Sequence, residues 1–330
     1  MPSCPSCASE TVPDANFCGR CGAKLAASPE LPVAKCRCGA GPESIDAAGF
    51  CNECGVRQLE ADPSDHQEHV VNADFAAVTD RGRRHAVNED AVFIAEATSP
   101  SGPVCLLAVC DGVSTSAGAA QASAAAVEAF RKVAIAALAR GAELADVAMQ
   151  AARSAQDAVV AVPHHDDENA PAATLVAAIV RARRAVIIWA GDSRAYLLAD
   201  TTAQLTRDDS WYNDVVEKGV LTPAQAKKHK YAHSIVNSLG GLAEGGEFAP
   251  NLIDVALPER AGILLCSDGL WNCADTPEEI RELASGAGDA IAVCRGLVAF
   301  ANSHGGHDNI SAVLLRWHAP GTEIQTGIAV

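Results

Sequence analysis

Three apolar runs in the chain end on an aspartate. Val104 to Cys110 leads into Asp111-Gly112, Ile263 to Cys266 leads through Ser267 into Asp268-Gly269, and Val186 to Ala190 leads through Gly191 into Asp192. Short runs of this kind read as buried strands. A carboxylate at the mouth of such a strand is costly unless a cation or hydrogen bonds compensate it. Asn88-Glu89-Asp90 and Asp308-Asn309 flank further strand-like segments. Taken singly, Asp-Gly after a strand is a turn, because Asp bonds its own backbone and Gly tolerates positive φ. Turn aspartates need no common direction, however. The recurrence at 111, 192 and 268 points to one site for hard divalent cations.

A second chemistry is written at the N-terminus. Eight of the thirteen cysteines lie before residue 55, as Cys4-x-x-Cys7, Cys18-x-x-Cys21, Cys36-x-Cys38 and Cys51-x-x-Cys54. Two such pairs make one tetrahedral Cys₄ zinc site, with sulfurs held at roughly 2.3 Å from the metal. Gly22, Gly39 and Gly55 follow three of the pairs and let the backbone turn its amides toward the thiolates. The competing disulfide framework would suit a secreted chain, and no secretion signal is visible. The remaining cysteines at 105, 110, 266, 273 and 294 fall in or near apolar segments and read as buried, inert thiols.

These groups must be positioned by a chain of 330 residues, about half of them apolar, in which aromatics are scarce. The core must therefore come from Val, Leu, Ile and Ala. The net charge of −16 argues against a nucleic-acid surface, and residues 1–57 carry no basic excess. No apolar stretch is long enough to cross a bilayer, so a soluble, cytoplasmic protein without a membrane partner is expected. Residues 1–24 and 33–57 read as two zinc ribbons, too small to fold without metal. Residues 58–72, which include His66 and His69, read as a flexible linker. The large domain is expected over 73–318, with a tail at 319–330.

Within that domain, strands are expected at 74–79, 91–95, 104–110, 173–181, 185–190, 194–198, 252–256, 262–266 and 309–316, with those from 173 to 198 forming an antiparallel meander. Long Ala-rich helices are expected at 117–140 and 144–162, and shorter ones near 277–284 and 287–302. Thr222-Pro223-Ala224-Gln225 reads as a helix start. Strands and helices without strict alternation indicate an α+β fold with antiparallel sheets.

Read together, residues 74–316 resemble the metal-dependent 2C-type protein serine/threonine phosphatases. The resemblance rests on ordered motifs: Asp80-x-Gly82, Asn88-Glu89-Asp90, Ala108-Val109-Cys110-Asp111-Gly112, Ala173-Thr174-Leu175-Val176, Ala190-Gly191-Asp192-Ser193-Arg194-Ala195-Tyr196, Leu205-Thr206-Arg207-Asp208, Ser238-Leu239-Gly240, Leu265-Cys266-Ser267-Asp268-Gly269-Leu270-Trp271 and Gly306-His307-Asp308-Asn309-Ile310. It implies a β-sandwich of two antiparallel sheets flanked by helices on both faces, and hydrolysis of phosphoserine and phosphothreonine by a hydroxide held between two Mn²⁺ or Mg²⁺ ions. Asp111, Asp268 and Asp308 would carry catalysis, with Asp111 bridging the ions. Glu89 and the Gly112 carbonyl would serve one ion, and Asp192 a third, weaker one. Asp90 and Asn309 would orient ligands.

The sequence departs from the family at three places. His85 stands where a phosphate-binding Arg is common, with Arg83 and Arg84 adjacent as substitutes. Val113 stands where some members carry a histidine proton donor, and Asp209 where relatives often show a histidine. Phosphoprotein substrates of a serine/threonine kinase are the implied partners, with the ribbons docking protein. The alternative is a weak or inactive module that binds phosphoproteins or a kinase.

Overall fold

Apolar residues on both sides of a strand require cover on both sides, and the strands here are of that kind. The computed structural model describes residues 36, 39–45, 51–55, 63–164, 169–200, 202–232, 234–240, 248–274, 276–286 and 288–318. The first cysteine module at 1–24, Cys38 of the second, residues 165–168 and the tail at 319–330 lie outside the described residues. Met1–Glu60 and Ala61–Val330 are separate compact units.

In the larger unit, β1 (His66–Asn72), β2 (Phe75–Asp80), β11 (Ile310–His318), β10 (Arg260–Cys266), β7 (Arg194–Leu198) and β8 (Ala203–Gln204) form one sheet in the order β1-β2-β11-β10-β7-β8. The second sheet runs β3 (Asp90–Ser99), β4 (Gly102–Asp111), β5 (Leu175–Arg181), β6 (Arg184–Ala190) and β9 (Asn251–Ala256), in that order. Every pairing in both is antiparallel.

Alternation along the strands builds three apolar layers. Phe75, Ala77, Leu107, Val109, Val176, Ile187, Ile263, Leu265 and Val313 meet between the sheets. Their neighbours Leu106, Ala108, Ala177 and Ile179 face α1 (Ala119–Ala139) and α2 (Leu144–Val160). Ala76, Val78, Leu264, Ala312 and Leu314 face α6 (Pro277–Ala284) and α7 (Ala290–Ser303). The expected sandwich with helices on both faces is what the chain forms. Ala-rich α1 and α2 lie close to one another and to the sheet because methyl side chains keep helix axes near. Thr222 caps α4 (Pro223–Ala226) through a capping box with Gln225, as its sequence announced.

Two expectations need correction. Residues 66–72 are not linker: they pair with β2 from His66↔Asp80 to Asn72↔Phe75. All seven are exposed, so this edge strand lacks the alternation by which strands are recognised. Nor do residues 173–198 form one meander. β5 and β6 pair, but β7 joins β10 in the other sheet. The chain crosses at Gly191, whose φ of 108° suits glycine, and whose added Cβ would stand 2.7 Å from Thr174 Cγ2. The turn Gly191-Asp192-Ser193 therefore bridges the sandwich at one end. No helix among the described residues is long and apolar enough to cross a membrane.

In the small unit, Cys36 and Cys51 are buried and Cys54 is exposed, with their sulfurs all within 4.8 Å of one another. Gly39 N donates to Cys36 O at 2.8 Å and Gly55 N to Cys51 O at 2.7 Å, at φ values of 93° and 72°. These are the tight turns the spacing predicts.

Candidate metal centre

Strand ends deliver the acidic residues to one end of the sandwich. Asp111 closes β4, directly opposite Asp90 at the start of β3. Asp192 lies in the crossing turn after β6. Asp268 begins the short helix α5 (Asp268–Trp271) that follows β10, and Asp308 precedes β11. Asp111, Asp192, Asp268 and Asp308 line one cleft of about 530 Å³, together with Gly112, Val113, Ser114, Thr115, Thr174 and Ser238. Residues separated by nearly two hundred positions thus meet as the strand ends predict.

Four carboxyls in a half-enclosed space repel one another. Burial, then the charges of Asp90, Asp268, Asp192 and Asp308, hold the Asp111 pKa well above the ordinary carboxylate value. Burial, then Asp192 and Asp308, do the same to Asp268. Burial pushes Asp90 and Asp192 up to about 6; the neighbouring Asp208 adds to the Asp192 shift and Arg194 offsets part of it. Asp90 Oδ1 and Asp268 Oδ1 are buried without a hydrogen-bond partner among the described residues. Orphaned carboxyl oxygens and a purely oxygen donor set are what a hard divalent cation satisfies. The residues present fit Mn²⁺ or Mg²⁺.

Neutral side chains hold these acids in place. Asp90 Oδ2 accepts from Ser267 Oγ and Ser311 Oγ, both at 2.7 Å. Thr174 Oγ1 accepts from Asp111 N at 3.0 Å and contacts Ser193 Oγ at 2.8 Å. Asn309, buried to 1% exposure, makes three bonds: its Oδ1 accepts from Glu89 N at 2.8 Å, and its Nδ2 donates to Arg81 O at 2.8 Å and Val87 O at 3.0 Å. One amide thus ties the Glu89 loop to the start of β11. Gly269 permits this junction, since a Cβ there would stand 2.0 Å from Asn309 O. Trp271 Nε1 donates to Asp192 O at 2.9 Å, and its ring lies 3.5 Å from the Arg194 guanidinium, which in turn pairs with Asp208 at 2.7 Å.

Glu89 sits beside the cleft, not on its wall, and reaches it through two contacts. Ser114 Oγ donates to Glu89 Oε2. His85 lies between Glu89 Oε2, at 3.8 Å, and Asp308 Oδ1, at 3.2 Å. Glu89 foremost, then Asp308, raise the His85 pKa, and His85 foremost lowers that of Glu89. Arg83 and Arg84 are exposed, do not line the cleft, and make no side-chain hydrogen bond or ion pair with the described residues. Of the three residues proposed to grip phosphate, only His85 touches a cleft acid.

Sequence reasoning missed Ser114 and Thr115, which line the cleft and which no local signal marks. It also missed what Asp209 does. Its carboxylate accepts from Gly191 N at 3.2 Å, from Asn237 Nδ2 at 2.9 Å and from Asn251 Nδ2, so it fastens the crossing turn to the segment that walls the cleft. Of the large-domain cysteines, Cys110, Cys266 and Cys294 are buried and Cys105 and Cys273 half-buried; burial pushes Cys105 up to about 11 and Cys294 up to about 12.

Comparison with known proteins agrees with this geometry. The family model described as Protein phosphatase 2C matches residues 79–286. The serine/threonine protein phosphatase PstP of Mycobacterium tuberculosis is 32% identical over 250 residues, covering 73% of this chain and 44% of that protein. The serine/threonine phosphatase stp of Listeria innocua is 35% identical over 153 residues, 45% of this chain and 58% of that protein. The chain thus spans about half the length of these curated relatives. A crystal structure of the PstP catalytic domain in complex with two manganese ions superposes with a TM-score of 0.56 at 30% identity, covering 74% of this chain and 97% of that one.

Proposed function

Because the chain belongs to the protein phosphatase 2C family, we propose that it is a metal-dependent protein serine/threonine phosphatase. The observation that carries this reading is the convergence of Asp111, Asp192, Asp268 and Asp308 on one cleft with two buried carboxylate oxygens left unpaired. Asp111, Asp268 and Asp308, with Glu89 and the Gly112 carbonyl, would hold two Mn²⁺ or Mg²⁺ ions, and Asp192 a third. When bound, such ions neutralise phosphoryl oxygens and bring the pKa of water toward neutrality.

The chain's own residues supply the rest. Asn309 fixes the Glu89 backbone relative to Asp308, and Ser267 with Ser311 fixes Asp90, so the ligands are held before the cations arrive. His85, whose pKa the Glu89 and Asp308 carboxylates raise, stands at the rim to meet a phosphate, with the exposed Arg83 and Arg84 side chains beside it. Val113 carries no proton for a departing alkoxide. Turnover should therefore depend steeply on leaving-group acidity.

The test is hydrolysis of p-nitrophenyl phosphate and a phosphothreonine peptide by the full chain, with and without Mn²⁺. Turnover should require the cation and vanish in Asp268→Asn with the fold intact. Full activity in that variant refutes the reading, and normal cation binding without any turnover would favour a phosphoprotein-binding module.

For the small unit we propose two structural zinc ions, one on Cys4, Cys7, Cys18 and Cys21 and one on Cys36, Cys38, Cys51 and Cys54, in ribbons that dock protein partners. The clustering of three of these thiols supports the second site.

A further inference from the structure

We propose that the segment walling the cleft between β8 and β9 carries a docking surface for an acidic stretch of the phosphoprotein, beside the phosphoresidue. This rests on the phosphatase reading and names the substrate class for it.

The first observation is charge. The chain has a net charge of −16, yet Lys227-Lys228-His229-Lys230 places three of its seven lysines within four residues, just after α4. The acids among the described residues of the same segment are already compensated. Arg194 pairs with Asp208, Lys218 with Asp214 and Arg207 with Glu217, while Asp209 takes hydrogen bonds from Asn237 and Asn251. Lys227, Lys228 and Lys230 are exposed and make no ion pair with the described residues. They form an exposed cationic run on a protein whose cleft and net charge are acidic.

The second observation is an aromatic plate that includes residues of that run. Trp211, at the start of α3 (Trp211–Glu217), stacks on His229 with ring centroids 4.3 Å apart, and Tyr231 meets Trp211 edge-on at 6.1 Å. Lys230 Nζ lies 4.7 Å from the Tyr231 ring centroid. Tyr231 and Val236 are 47% and 53% exposed. Exposed aromatics joined to cations are the composition of a recognition surface.

The third observation is continuity with the site. Ser234, Ile235 and Ser238 line the acidic cleft. Ser234 N donates to Tyr231 O at 2.9 Å, Trp211 N donates to Ser234 O at 2.8 Å, and Ile235 bridges to Ser210. The plate and the cleft wall are consecutive parts of one hydrogen-bonded segment. An extended peptide advances about 3.3 Å per residue, so residues a few positions from a phosphothreonine seated in the cleft would reach the plate. The cleft carboxylates repel acidic residues, whereas the lysines attract them and steer their approach. Charge complementarity thus selects Asp and Glu near the phosphoresidue.

The experiment compares three substrates in Mn²⁺ on the full chain: a phosphothreonine peptide flanked by aspartates, the same peptide with asparagines, and p-nitrophenyl phosphate. Exposed charge pairs are individually weak, and three together should give roughly a tenfold preference for the acidic peptide, carried by KM. The preference should shrink at about 0.5 M salt. The triple variant Lys227→Gln/Lys228→Gln/Lys230→Gln should lose it while hydrolysing p-nitrophenyl phosphate at the unaltered rate. A preference that is absent, or that survives in the triple variant, overturns the proposal. If no phosphoester is turned over, the phosphatase reading fails separately, and fluorescence anisotropy of the labelled acidic peptide still decides: roughly tenfold weaker binding by the variant supports the surface, and equal binding overturns it. Lysine-dependent binding of phosphatidylserine vesicles without peptide discrimination also overturns it.

Discussion

Removing a charge from the acidic cleft should stabilise the metal-free protein while weakening its hold on cations. Asp192 gives the cleanest case. Its pKa rises from 3.8 to about 6 on folding, through burial and then Asp208. A group raised in this way binds its proton more tightly in the folded state. Below pH 4 both states are protonated and stability is whole. As pH rises through about 6 the folded state must ionise a disfavoured carboxyl, and stability is lost. A shift of about two units at about 1.4 kcal/mol each puts the loss near 3 kcal/mol at pH 7. Asp192→Asn keeps the shape and deletes the charge. In chelator at pH 7 it should unfold in urea with a stability about 3 kcal/mol above the parent, an increase in Tm of about 8 °C for a domain of this size. At pH 4 the two proteins should coincide. Saturating Mn²⁺ should close or reverse the gap, because the parent gains more from the ion. A variant no more stable than the parent at pH 7, or equally favoured at pH 4, refutes the reasoning.

Two further outcomes follow from the neighbours of the site. Asn309→Leu removes three buried hydrogen bonds and should cost about 3 kcal/mol in urea unfolding, with weaker Mn²⁺ binding because Glu89 and Asp308 lose their common anchor. Cys51→Ser should lower the zinc content measured by plasma mass spectrometry by about one ion per chain, with Mn²⁺-dependent turnover on p-nitrophenyl phosphate unchanged.

What the sequence revealed, and what it hid, divides along physical lines. Asp111, Asp192 and Asp268 were legible because a buried strand fixes where its last residue points, and several such strands share one end. The apolar layers were legible because Val, Ile and Leu on both faces of β4, β5 and β10 demand cover on both. β1 was not, since its seven exposed, mostly polar residues carry no alternation and its pairing is a backbone matter. The transfer of β7 to the other sheet was hidden because a short turn at Gly191 looks the same whether it closes a hairpin or crosses a sandwich. The clamping roles of Asn309 and Asp209 depend on partners between 18 and 228 residues away, and no local pattern encodes them. Adjacency to His85 marks Arg83 and Arg84 as substitutes for the family arginine, but it does not reveal that both side chains are exposed while His85 meets Asp308.

The acidic cleft as the seat of a cation pair stands or falls on a calorimetric titration of the desalted full chain with Mn²⁺ at pH 7, beside Asp111→Asn. Asp111 is the carboxyl that Asp90, Asp192, Asp268 and Asp308 all surround. The parent should bind two ions, and the variant should lose the tight binding while its circular dichroism spectrum is unchanged. An Asp111→Asn protein that takes up Mn²⁺ with the parent's stoichiometry and affinity would contradict it.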